Sequence, residues 1–287
     1  MAQQGVTASR VVSTRTAWVL LVSVIVLWGA NWPVMKVGLN YIPPVTFAAA
    51  RMLLGATVMF VVAGLAGQLR FPSRHDRVVV ISVGLMQMGG FLALVTFGLQ
   101  FVPAGRSAIL AYTTSLWVVP MATVLLRERL SGLKLTGFLL GIAGVLVLFN
   151  PLGFDWSDPQ VILGNGMLLL AALLWAILIV HVRGHRMEGS PLSLGPWQFT
   201  VGAMVLVPIA LVTEWGRPIH WSAELGVILF YNGPVATAFG FWAMITVTRA
   251  LPAITTSLSS LGVPIFGMLA SAVFIGEPLT ATNTGGL

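Results

Sequence analysis

Charge is what this sequence has least of. Of its 287 residues only 8% are Asp, Glu, Lys or Arg, against about 25% in a typical soluble domain. So few charges exclude a water-soluble globule of this size, and with 57% hydrophobic residues and a mean hydropathy of +0.94 the solvent is lipid. Cysteine is absent, which excludes disulfides, thiolate catalysis and cysteine-ligated metal clusters. The eight acidic residues, Asp76, Glu128, Asp155, Asp158, Glu188, Glu214, Glu224 and Glu277, lie in or beside breaks between apolar runs. No carboxylate therefore stands at mid-membrane, where proton- and sodium-coupled carriers commonly keep one. No metal and no cofactor is expected. The net charge of +7 is scattered over the loops; without a continuous basic patch it gives no reason to expect nucleic acid.

What is present is a series of long apolar runs. About 20 residues of helix cross roughly 30 Å of hydrocarbon. That length predicts nine spans, near 17–35, 44–66, 78–101, 104–126, 132–150, 161–182, 192–213, 222–247 and 252–276. The runs are too long, and too poor in period-two alternation, for barrel strands. Trp18, Trp32, Trp156, Trp197, Trp215 and Trp221 mark span ends, as interfacial indoles do. The stretch before the first span imitates a secretory signal, but no clean small-residue cleavage site follows, so the first span is read as retained. With the N-terminus in the cytoplasm, inside loops carry eleven Lys and Arg residues and outside loops three (Lys36, Arg106 and Arg217). That bias sets the orientation.

The chain also repeats itself. At an offset of 147, Trp28 meets Trp175, Lys36 meets Arg183 and Pro44 meets Pro191. At 149, Pro103 and Ala104 meet Pro252 and Ala253, Glu128 meets Glu277, and Gly137 meets Gly286. The unit is five spans, and an odd number inverts the second copy in the membrane, an architecture of many secondary transporters. The reading is all-α: a polytopic helix bundle of two inverted five-helix repeats. It comprises a cytoplasmic segment 1–16, a first repeat 17–150, a periplasmic linker 151–160 and a second repeat 161–287. Because Gly286 matches the residue that opens the fifth span, a tenth helix is expected beyond the nine visible ones.

These motifs carry a family resemblance over nearly the whole length. LWGANWPVMKVGLNYIPPVTFAAARMLLGA in the first two spans, and LQFVPAGRSAILAYTTSLWVVPMATVLLRERLSG echoed by RALPAITTSLSSLGVPIFGMLASAVFIGEPLT, resemble the EamA-type transporters of the drug/metabolite transporter superfamily. Within it the chain is similar to the YddG-like exporters of aromatic amino acids. The resemblance implies ten helices, a bacterial-type inner membrane location, alternating access, and efflux of small metabolites such as aromatic and other neutral amino acids. Efflux of apolar cations, or a non-transporting lipid-handling protein, are the alternatives. The partners expected are a small-molecule substrate and the lipid bilayer, and the chain is read as a monomer. An intramembrane enzyme is disfavoured, since the hydroxyl residues lack a neighbouring general base.

Candidate cavity residues are those whose polarity or irregularity suits lipid badly, since such helix surface is tolerated only against protein or a watery cavity. The first span supplies Trp28, Asn31 and Trp32 around Gly29 and Pro33; the bland reading is a packed kink. Asn232 lies in YNGPVATAFG, a discontinuity that is either a structural kink or a broken helix of the kind that forms midplane sites. Gln87 precedes Gly89 and Gly90. The fourth and ninth spans carry Tyr112, Thr113 and Trp117, and Ser257 and Ser260, at repeat-related places; close helix packing is the plainer role of such hydroxyls. Trp175 completes an aromatic set. Arg51, the one basic residue well inside a span, is either a snorkelling anchor or a clamp for a substrate carboxylate.

Overall fold

The computed structural model describes residues 12–128, 130–149 and 157–279. The first eleven residues, Arg129, most of the expected linker with Asp155 and Trp156, and the start of the expected tenth helix at Gly286 lie outside the described residues. The described chain is helical throughout, in nine rods: α1 (Thr14–Gly38), α2 (Pro44–Leu65), α3 (Arg77–Phe101), α4 (Ala104–Leu125), α5 (Gly132–Phe149), α6 (Pro159–Gly184), α7 (Pro191–Thr213), α8 (Ala223–Ala250) and α9 (Ala253–Ile275). Eight are long and apolar enough to cross a membrane; in α5 the apolar stretch is shorter, Leu135–Gly144. Proline opens α2, α6 and α7, where its missing N–H costs nothing and its fixed φ suits a first turn. The Ser13, Ser190 and Ser222 hydroxyls and the Asp158 carboxylate accept a backbone N–H at the starts of α1, α7, α8 and α6.

Two irregularities recur at the same place in each half. The third helix of each repeat contains nine residues of π-helix, Val83–Phe91 in α3 and Tyr231–Phe239 in α8. The fourth is interrupted after two turns, at Tyr112–Thr113 in α4 and Ser260–Leu261 in α9. Hydroxyls at those interruptions turn back on preceding carbonyls: Thr113 onto Leu110 and Ser260 onto Ser257, each at 2.7 Å. The broken-helix reading of YNGPVATAFG is corrected here: α8 runs through it. The shifted π register absorbs Pro234, and the Asn232 amide donates to the Ile228 carbonyl at 3.1 Å.

Packing obeys an approximate two-fold. α1 lies on α8 and α9, and its counterpart α6 lies on α3 and α4; α2 lies on α8, and its counterpart α7 on α3. α2 meets α7 and α4 meets α9 across the axis. The main crossings are thus between repeats rather than within one. Close approach needs small residues, because lipid gives apolar helices no reason of its own to associate. A Cβ on Gly202 of α7 would sit 2.3 Å from Met88, and one on Gly84 of α3 would sit 2.4 Å from Val201. By contrast a Cβ on Gly137 of α5 would meet nothing within 4 Å among the described residues. The outward faces carry Val19, Val22, Leu65, Val124, Val212 and Val273, all exposed, which is the lipid-facing shell the composition requires.

Acidic side chains tie the halves together at both ends of the bundle. Glu277, after α9, accepts from the Ala104 and Gly105 amides that open α4, at 2.8 and 3.0 Å. Its repeat partner Glu128, after α4, accepts from the Ala253 and Ile254 amides that open α9, at 2.9 and 3.2 Å. Glu214, after α7, accepts from the Val45 and Thr46 amides at the start of α2. Asp76, before α3, accepts from the Glu188 and Gly189 amides just ahead of α7. Glu277, Glu128 and Glu214 therefore meet unsatisfied N–H groups at the positive end of a helix in the other repeat, and Asp76 holds the backbone that leads into one. Lys36 and Arg183 serve the opposite ends: Lys36 donates to the Leu99 and Val102 carbonyls, Arg183 to that of Arg249.

Candidate functional site

The centre of the bundle is built from one stripe of α1. Trp28, Asn31, Trp32 and Met35 stand at i, i+3, i+4 and i+7, which is one helical face. That face is held down by its neighbours. Gly29 lets α1 approach α9 so closely that a Cβ would lie 2.8 Å from Phe266. The Tyr231 hydroxyl donates to the Leu27 carbonyl at 2.7 Å, and the Trp28 indole N–H donates to the Ala236 carbonyl at 2.8 Å. Ala236 lies in the π segment of α8, so the irregular turn and the indole fix each other.

Trp175, the repeat partner of Trp28, is the hub of an aromatic cluster. Its ring meets Trp28 at 5.4 Å, Phe91 at 4.9 Å and Tyr112 at 5.2 Å, all edge-on. Phe241 meets Trp28 at 5.0 Å. Each tryptophan is thus approached by a phenylalanine of the other repeat, Phe91 at the end of one π segment and Phe241 two residues beyond the other. Such pairs contribute about 0.5–1.5 kcal/mol each beyond the area they bury.

These rings enclose a cavity of about 40 Å³, lined by α1 residues together with Arg51 of α2, Phe91, Leu92 and Val95 of α3, Tyr112 of α4, Trp175 of α6 and Phe241 of α8. That volume holds a few water molecules, so the expected hollow is present, but narrow and mostly apolar. Arg51 is only 2% exposed. It points inward, its Nε donating to the Thr237 hydroxyl at 3.0 Å and one terminal nitrogen lying 3.0 Å from the Met35 sulfur. A snorkelling Arg51 is thereby corrected: its guanidinium is inside the bundle.

Of the residues singled out in the sequence, Trp28, Asn31, Trp32, Arg51, Tyr112 and Trp175 come together around this cavity. Six others are not among its lining. Trp117 points outward and is 41% exposed. Thr113 is engaged at the interruption of α4. Ser257 donates to the Ser115 hydroxyl at 2.9 Å, and Ser115 donates to the Ser257 carbonyl at 3.0 Å, which fastens the two interrupted helices to each other, while Ser260 turns back on the Ser257 carbonyl of its own helix. Gln87 and Asn232 are buried within the two π segments. Trp32, read from the sequence both as an interfacial indole and as a cavity residue, is buried at the cavity. The sequence reading missed Met35, Phe91, Leu92, Val95 and Phe241. Met35 was findable, because it completes the helical stripe begun by Trp28; the others look like ordinary apolar span residues.

The wider comparisons agree with this architecture. The profile of the EamA-like transporter family matches the chain twice, over residues 15–150 and 162–287. The chain is 26% identical over 261 residues to the uncharacterized transporter YoaV of Bacillus subtilis, covering 91% of this chain and 89% of that one. It is 27% identical over 278 residues to a probable amino-acid metabolite efflux pump of Escherichia coli, covering 93% and 89%. A protein of known crystal structure superposes with a TM-score of 0.71 at 21% identity over 96% of this chain and 94% of its own, a likeness of fold. Two family repeats, helices fit to span a membrane and a central cavity between inverted halves make this chain a multi-pass member of the EamA-like transporter family of the drug/metabolite transporter superfamily.

Proposed function

We propose that the protein exports small neutral amino acids, aromatic ones among them, from the cytoplasm across the inner membrane by alternating access, as facilitated efflux. The observation that carries this reading is the placing of Trp28 and Trp175, repeat partners, edge to face at the central cavity together with Trp32, Tyr112 and Phe241. Indole and phenol rings stack on aromatic side chains and attract cationic groups such as an ammonium. The name of the Escherichia coli relative, a probable amino-acid metabolite efflux pump, supports the same substrate class. The N-terminus is cytoplasmic in this reading, on the Lys and Arg bias of the loops.

Facilitated efflux is supported by the acids. The buried carboxylates Asp76 and Glu214, and the half-buried Glu128 and Glu277, are all spent on helix starts at the ends of the bundle, and none lines the cavity. The test is counterflow of labelled phenylalanine in proteoliposomes. Saturable exchange that Trp175→Ala abolishes supports the reading. Absence of saturable exchange for phenylalanine and for threonine refutes it.

A further inference from the structure

Arg51 poses a physical problem that the aromatic cavity does not resolve. A guanidinium carries five N–H donors and a full charge at every accessible pH. Here it has two partners, a threonine hydroxyl and a thioether, and forms no ion pair among the described residues. Breaking a buried ion pair by removing its anion is severely destabilising, so a cation held 98% out of solvent (2% exposed) with no anion beside it is an incomplete pair. An anchoring role would have sent the head group to the lipid head-group region. Instead Arg51 lines a cavity at which no acid among the described residues stands.

A second incompletely satisfied group stands in the same wall. Asn31 is 4% exposed, and its side-chain carbonyl oxygen accepts no hydrogen bond among the described residues. A buried acceptor left open costs about 1–3 kcal/mol. One turn of α1 separates Asn31 from Met35, whose sulfur touches Arg51. The cavity thus offers a full positive charge and, on its adjoining wall, an open acceptor, with indole faces around both.

We infer that Arg51 and Asn31 form a head-group site for the two charged ends of an α-amino acid: the carboxylate is clamped by the Arg51 guanidinium, and the ammonium is received by the Asn31 carbonyl oxygen and the neighbouring indole faces. This rests on the preceding reading that the central cavity carries the transported molecule. A guanidinium binds a carboxylate through two parallel N–H bonds, and an ammonium supplies the donor that Asn31 lacks. The substrate's side chain then lies among Trp28, Trp175 and Phe241. The site has a sign: its one fixed charge is positive, so it selects against cations that bring no carboxylate. Apolar cationic drugs, open as an alternative on sequence alone, are repelled by Arg51. The cavity is too small for an amino acid as it stands, so the helices part when the head group enters, and the charge completed by the substrate is what favours that parting.

The test keeps the phenyl scaffold and removes one charged end at a time. Proteoliposomes holding the full chain are assayed for uptake of phenylalanine, 3-phenylpropionate, phenylalaninamide and phenethylamine. Uptake of the amide and the amine is expected to be about tenfold or more below that of phenylalanine, the loss that follows from one charge-assisted pair. 3-Phenylpropionate is expected to fall between. In Arg51→Gln the ratio of acid to amide collapses towards one, and Arg51→Lys restores part of it. Asn31→Leu raises KM for phenylalanine and leaves that for 3-phenylpropionate alone. The wild-type panel decides the matter even if a variant fails to fold. Equal or better uptake of the amide overturns the clamp while leaving the transport reading intact. No saturable uptake of any of the four, with no thermal stabilisation of the purified protein by any, overturns both.

Discussion

Glu214→Gln tests the idea that the two repeats are joined by carboxylates seated on each other's helix starts. Glu214 is 5% exposed and accepts three hydrogen bonds: from the Val45 amide at 3.0 Å and from the Thr46 amide and hydroxyl at 2.7 Å each. A glutamine keeps the shape but replaces one oxygen by an NH2 group, which has no lone pair to offer. At least one buried N–H then loses its acceptor, and the charge favoured at a helix N-terminus is gone. Leaving one buried donor unpaired costs about 1–3 kcal/mol, and the lost charge adds about 0.3–1 kcal/mol, for a destabilisation of about 1–4 kcal/mol. At roughly 2–4 °C per kcal/mol for a chain of this size class, the melting temperature falls by about 3–16 °C. The assay is thermal unfolding in detergent, followed by tryptophan fluorescence. Glu224→Gln is the control, because Glu224 is exposed and its partner is the Tyr41 hydroxyl in a loop; about 1 kcal/mol or less is expected there. The equivalent change at Asp76 lies at the other end of the bundle and should add to the Glu214 effect. Unchanged melting of Glu214→Gln, or a fall no larger than that of the control, refutes the reasoning.

Gly240→Ala is expected to lower transport by displacing Trp28, since an alanine Cβ would fall 2.3 Å from the indole nitrogen; at about 1–3 kcal/mol of overpacking the protein still folds, and normal counterflow with normal melting would count against the site. At the end of α6, burial, and then the His75 and His181 rings, hold the His185 imidazole below its usual pKa of 6.5, against the opposing pull of Asp76 and Glu188. The folded state therefore takes up its proton later than the unfolded chain, and the stability this contributes is complete above pH 6.5 and lost as pH falls through the interval down to the depressed folded value. Melting of the wild type should drop relative to His185→Gln between pH 7 and pH 5; parallel curves would exclude the mechanism. Because no carboxylate lines the cavity, an imposed pH gradient should leave phenylalanine flux without strong, saturable acceleration, and such acceleration would require a coupling site elsewhere.

Sequence alone determined most of the architecture, for reasons rooted in the solvent. A chain with 8% charge must hide its backbone in helices inside lipid, and bilayer thickness then fixes where each helix starts and stops. Repetition at offsets of 147 and 149 exposed the inverted halves, and the placing of Glu128 and Glu277 at span ends already set them among helix termini. Half of the cavity was legible as well: Trp28, Asn31, Trp32, Arg51, Tyr112 and Trp175 are residues that lipid does not welcome. The tertiary structure decided which of the awkward residues face inward. Trp117 and Tyr112 are five residues apart, yet the interruption of α4 at Tyr112–Thr113 sends one ring to the cavity and the other outward. Ser257 and Ser260 look like a polar lining until the crossing of α4 and α9 pairs Ser257 with Ser115 and the interruption of α9 turns Ser260 back on its own backbone. No local pattern reveals a π segment, because its register shift comes from what packs on it. The partners of Glu214 and Asp76 lie more than a hundred residues away. Only the folded bundle brings such groups within hydrogen-bonding distance, and that same folding leaves Arg51 without an anion and the Asn31 side-chain oxygen without a donor among the described residues, beside one cavity.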